Sequence, residues 1–113
     1  MSRFILAIDQ GTTGSAALIF NRDGEIVSRA YSELTQYYPR PGWVEHDALE
    51  IWRKTAQVVR EAMAAGHVQS RDIAGIGITN QRETTVLWDK SSGMPIHKAI
   101  VWQCRRTSDY CSQ

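Results

Sequence analysis

Apolar positions fall in short runs separated by polar turns, with one longer stretch that repeats at helical spacing. Phe4 to Ile8 is continuously apolar and reads as a strand covered on both faces. Ser15 to Phe20 and Glu25 to Tyr31 are two further strand segments. Between them, Asn21-Arg22-Asp23-Gly24 predicts a hairpin, because Asp-Gly accepts the positive φ of a tight turn. Tyr37-Tyr38-Pro39-Arg40-Pro41-Gly42 then breaks regular structure, since proline restricts both itself and the residue before it.

Leu49, Trp52, Ala56, Val59 and Met63 recur at helical spacing and predict one apolar face. Asp47 is the expected N-cap, with Glu50 reaching back as in a capping box, and Gly66 is the expected stop. Ile73 to Thr79 predicts another buried strand, whose Gly75 and Gly77 suit close approach by a neighbour. Thr84 to Trp88 reads as a strand, Asp89 to Gly93 as a turn and Ala99 to Trp102 as a last short strand. Thr107 or Ser108 suits the cap of a second helix. The order β-β-β-α-β, followed by a further β excursion, makes the helix a crossover between parallel strands. It predicts a mixed sheet in the α/β class. Such a sheet takes helices on both faces, and one long helix leaves it incomplete.

Composition narrows the classes. At 113 residues, 42% hydrophobic and 22% charged, the chain is one small domain or part of a larger one. Its net charge of +1, with no basic stripe, argues against nucleic-acid binding. No stretch approaches the roughly 20 apolar residues of a membrane span. The segment Met1 to Asp9 has one basic residue and too short an apolar run for a signal peptide. Cys104 and Cys111 have no CxxC spacing and read as reduced thiols of a cytoplasmic protein, with Cys104 a small buried hydrophobe.

Three stretches carry candidate chemistry. Asp9-Gln10-Gly11-Thr12-Thr13-Gly14 follows a buried strand. Asp9 is a hard oxygen ligand suited to Mg²⁺, the glycines let backbone N–H groups approach an anion, and the threonines add hydroxyls. The same residue types also suit a plain connection between strands. Asn80-Gln81-Arg82-Glu83 follows a strand end, where open α/β sheets bind ligands. Arg82 offers donors and Glu83 acceptors, as a neutral ligand with several hydroxyls requires; a surface salt bridge is the alternative. Trp102-Gln103-Cys104-Arg105-Arg106 sets an indole at a strand end, where it can wall a polyol pocket. Trp43, Trp52 and Trp88 read as core packing. His46, His67 and His97 lack metal-ligand spacing and read as structural or surface residues.

These motifs resemble one family. Asp9 to Thr13 is similar to the phosphate loop of the FGGY carbohydrate kinases, within the actin-like ATPase superfamily. Tyr38 to Asp47 with Ile51-Trp52, Gly77 to Thr85, and Ala99 to Thr107 resemble, in the same order, blocks of its glycerol-phosphorylating members. The resemblance implies a ribonuclease H-like mixed sheet and makes residues 1–113 the N-terminal part of the family's N-terminal domain. It implies Mg²⁺ association at Asp9, ATP phosphate contacts at Thr12, Thr13 and Gly14, and glycerol contacts at Arg82, Glu83 and Trp102. The implied reaction is ATP-dependent phosphorylation of glycerol to sn-glycerol 3-phosphate. One position departs: Ala16 stands where the family usually has an arginine near the transferred phosphate. The family's catalytic aspartate and adenosine pocket lie later than residue 113, so the isolated chain is expected to be inactive and prone to self-association. A non-catalytic module of the same fold, or another sugar kinase of the family, are the competing readings.

Overall fold

The computed structural model describes residues 3–113; Met1 and Ser2, the first residues of the signal-peptide reading, lie outside them. The elements are β1 (Phe4–Gln10), β2 (Gly14–Phe20), β3 (Ile26–Glu33), β4 (Glu45–His46), α1 (Ala48–Ala65), β5 (Ile73–Thr79), β6 (Ala99–Ile100) and α2 (Ser108–Cys111). A 3-10 turn at Ser70–Asp72 leads into β5. The main sheet has the order β3-β2-β1-β5, with β1, β2 and β3 an antiparallel meander and β5 parallel to β1. β4 and β6 form a second, two-stranded antiparallel sheet. A mixed α/β sheet with a hairpin start and a crossover helix is the architecture expected from the sequence.

Local chemistry explains the turns. Asn21 Oδ1 accepts from the N–H groups of Asp23 and Glu25 at 2.9 and 3.0 Å. Gly24 closes that hairpin at φ +81°, which a side chain would resist. Asp47 caps α1 by accepting from Leu49 N–H at 3.0 Å. α1 packs over the meander, where Leu6, Ala17, Ile19, Val58, Ala62 and Val68 form the core.

Several expectations need correction. Glu50 does not close a capping box: its buried carboxylate accepts from Thr35 N–H and Oγ1 at 3.0 and 2.8 Å, bracing the loop after β3. The inward face of α1 carries Thr55, Val58 and Ala62, with Val59 and Met63 at its margin, and Trp52 points outward at 69% exposure. β5 is an edge strand and is not buried; Ile78 is 71% exposed, and a Cβ on Gly77 would meet nothing within 4 Å. β1 is covered on one face only, with Ile5 exposed. Thr84 to Trp88 forms single bridges, Thr85 to Ile100 and Trp88 to Pro95, and no strand. The last strand ends at Ile100, short of Trp102. Trp88 is exposed, and Trp43 packs against the Arg106 guanidinium, 3.9 Å from its ring centre. Cys104 is only half-buried and accepts from Arg106 Nε at 3.0 Å.

Candidate functional site

Asp9 and Thr79 are register partners on the adjacent parallel strands β1 and β5. The turns that follow them therefore leave the sheet side by side, at the carboxyl edge where open α/β sheets receive ligands. A cleft of about 360 Å³ opens there, between Gly11 and Thr12 on one side and Asn80, Gln81, Arg82 and Glu83 on the other. Trp102 joins the same lining. Its indole Nε1–H donates to Thr12 Oγ1 at 2.9 Å, although 90 residues separate the two. All three candidate stretches thus meet in one place.

The turn after β1 is held from behind. Gln36 Nε2 donates to the Thr12 carbonyl at 3.0 Å, and Leu34 N–H donates to the Thr13 carbonyl at 2.9 Å. A trans peptide sets its N–H opposite its C=O, so the Thr13 N–H faces away from Gln36, as an anion-receiving turn requires. Gly14 serves close packing: a Cβ there would lie 2.4 Å from the Ser32 carbonyl and 2.5 Å from Tyr31 Oη. Thr13 is exposed, with its Oγ1 3.3 Å from Tyr31 Oη. Asp9 is exposed beside the turn, and a Cβ on Gly11 would come 3.9 Å from its Oδ1. Among the described residues no group of three or more His, Cys, Asp or Glu side chains gathers around a metal site. A single carboxylate completed by phosphate oxygens and water is a donor set that Mg²⁺ accepts, so Asp9 fits a cation arriving with a nucleotide. Ala16, half-buried on β2, is the register partner of Asp9.

The opposite wall is polar and pre-set. Arg82 and Glu83 are exposed, and neither belongs to the ion pairs found among the described residues, which are Arg53–Asp47, His97–Glu45 and Arg106–Glu45. Glu83 adopts φ +60°, a strained conformation for a side-chain-bearing residue and one that clusters at binding sites. Guanidinium donors, a carboxylate acceptor and the indole face together can hold the hydroxyls and carbon frame of a small polyol. Gln36 and His46 stand behind the lining, joined to Thr12 and Gln81 by hydrogen bonds. No spacing in the sequence marks them, because both lie in loop or two-residue strand segments without periodicity.

Residues 4–113 match the model of the N-terminal domain of the FGGY family of carbohydrate kinases. The chain is 59% identical over 113 residues to a glycerol kinase of Clostridium botulinum strain Hall. It is 60% identical over 111 residues to one of Francisella philomiragia. It covers 100% and 98% of itself in these matches but only 23% and 22% of those proteins. Among solved structures it is similar to Plasmodium falciparum glycerol kinase with ADP (TM-score 0.86, 31% identity, 98% of this chain and 22% of that one). It is also similar to the xylulose kinase of Rhodospirillum rubrum (TM-score 0.86, 26% identity, 97% and 22%).

Proposed function

The chain belongs to the FGGY family of carbohydrate kinases, and from that premise we propose that the intact protein phosphorylates glycerol to sn-glycerol 3-phosphate with ATP. Residues 1–113 are the N-terminal part of its N-terminal domain, and its catalytic carboxylate and adenosine wall lie outside them. The observation that carries this reading is the shared cleft, where the Thr12 turn faces Arg82, Glu83 and Trp102. The identity to proteins named glycerol kinases, spread over nearly the whole chain, favours glycerol over other polyols.

In this reading Arg82 and Glu83 hold two hydroxyls while Trp102 packs on the carbons. Thr12, Thr13 and the Gly14 backbone receive the nucleotide phosphates. A terminal hydroxyl oxygen of glycerol bonds to the γ-phosphorus as the bond to the β-γ bridging oxygen breaks and ADP leaves. The hydroxyl proton passes to the carboxylate beyond residue 113. Asp9 would hold a divalent cation, which would supply charge neutralisation at the phosphate oxygens. Ala16, the register partner of Asp9, leaves that flank without a cationic side chain. A cytoplasmic setting accords with Cys104 and Cys111 as free thiols. No helix among the described residues is long and apolar enough to cross a membrane.

A coupled ADP-release assay on the intact protein tests the reaction. Glycerol is expected to be the best acceptor, and Arg82→Ala to cost about 10²-fold in kcat/KM. Faster turnover of xylulose or gluconate would move the assignment to another member of the family. No turnover with any polyol would leave a non-catalytic module, the second reading. The chain 1–113 alone is expected to be inactive. It is also expected to self-associate. Ile76 and Ile78 stand exposed on the β5 edge, beside an apolar hollow of about 430 Å³ lined by Val59, Met63 and Ile73. A single monomeric species in light scattering at high concentration would refute that expectation.

A further inference from the structure

Thr12 and Gln81 belong to opposite walls of the cleft, yet behind it they are joined by one continuous run of hydrogen bonds. Gln36 Nε2 donates to the carbonyls of Thr12 and Leu34 at 3.0 and 3.2 Å. Its Oε1 lies 2.7 Å from His46 Nε2. His46 Nδ1 lies 3.1 Å from Gln81 Nε2, and Gln81 Oε1 accepts from Thr84 Oγ1–H at 3.2 Å. His46 is 0% exposed and Gln81 8%, so water does not substitute for these partners.

As the two amides are oriented, one tautomer fits. With both nearby carbonyls taken by its nitrogen, Gln36 presents only an acceptor oxygen to the ring, so His46 Nε2 carries a proton. With its oxygen turned to Thr84 Oγ1–H, Gln81 presents its NH₂ to the ring, so Nδ1 carries none. The neutral Nε2–H tautomer satisfies both contacts, and the imidazolium would set an N–H against the Gln81 NH₂ group. Burial, which lowers the pKa of His46 despite the nearby Glu50 carboxylate, acts in the same sense.

We propose that His46 is a positioning residue that holds Gln81, and with it the Arg82–Glu83 loop, at a set separation from the phosphate turn. This rests on the polyol-kinase reading above. Transfer between two bound partners depends on their separation, and a misplacement of about 1 Å can cost about 10²-fold in rate. A hydrogen-bonded ring at the centre of the run sets that separation more sharply than an apolar side chain of the same size.

Two measurements on the intact protein test the proposal. Long-range ¹H–¹⁵N correlation of the imidazoles is expected to show His46 as the Nε2–H tautomer at neutral pH and above. An Nδ1–H tautomer or an imidazolium there would overturn the relay, whatever the substrate. In steady-state kinetics His46→Phe is expected to lower kcat per folded molecule by up to about 10²-fold, with the KM values for glycerol and ATP changed less. His46→Gln, which keeps one donor and one acceptor, is expected to recover most of that loss. A His46→Phe protein whose kcat per folded molecule stays at wild type would overturn the positioning role. Should His46→Phe fail to fold, the tautomer and the His46→Gln kinetics still decide. Absence of turnover in the wild-type protein would refute the kinase reading alone, with the tautomer still deciding the relay.

Discussion

His46 is fully buried, and burial holds its pKa below the ordinary 6.5 even though Glu50 pulls the other way. As pH falls through 6.5 the unfolded chain gains a proton that the folded ring refuses. Stability is therefore complete above pH 6.5 and declines below it until the folded pKa is reached. The melting temperature is expected to drop as pH falls below 6.5, and His46→Gln to flatten that drop. Parallel melting curves for the two proteins would contradict the assignment. At this scale the candidate residues were readable from their chemistry: Thr12, Arg82, Glu83 and Trp102, which the fold brings to one cleft, and Asp9 at the end of β1. His46 was not, because its meaning depends on Gln36, 10 residues before it, and Gln81, 35 after it. Nothing in a linear pattern links amides at those distances.

The C-terminal end of α1 illustrates how an element divides its demands. Gly66 was read as the stop, yet it keeps a right-handed φ of −88° and the left-handed residue is His67, at φ 54°. Val68 N–H reaches the Met63 carbonyl at 3.0 Å and His67 N–H the Ala64 carbonyl at 3.2 Å, the Schellman arrangement. The glycine is spent one position early because a Cβ on Gly66 would lie 2.7 Å from Ser28 Oγ, which itself donates to the Ala62 carbonyl at 2.7 Å. His67→Gly is accordingly expected to stabilise the fold by about 1 kcal/mol, measured by denaturant unfolding. An unchanged midpoint would show that His67 gains a compensating contact. The same packing explains why the helical period was legible while its inward face was not. α1 carries neighbouring stripes of comparable apolarity, and the approach of Ala62 to Ser28 selects the one led by Val58 and Ala62 over the one led by Trp52. The continuous apolar run of β5 predicted a strand correctly. Its exposure could not follow, since burial depends on what else packs on the sheet.

Over the whole molecule, residues 3–113 spread to a radius of gyration of 17.0 Å, where a compact domain of this length has about 13 Å. The extension reflects two sheets. The four-stranded one follows from hairpin and crossover signals in the sequence. The β4–β6 pair could not be read, because two-residue strands have no period. It is held instead by long-range partners, the buried Glu45 carboxylate with Arg106 and the Arg106 guanidinium with Trp43. That second sheet carries His46 on β4 and brings Trp102, just past β6, to the cleft.

The Trp102–Thr12 hydrogen bond has a consequence in time. The meander closes over short turns, whereas this contact must wait for a loop of 90 residues to close. During synthesis, when the N-terminal portion emerges first, the phosphate turn leaves the ribosome long before the indole that will bind it. Until then the Thr12 hydroxyl has only solvent for a partner on that side, so the cleft is among the last features of this chain to mature.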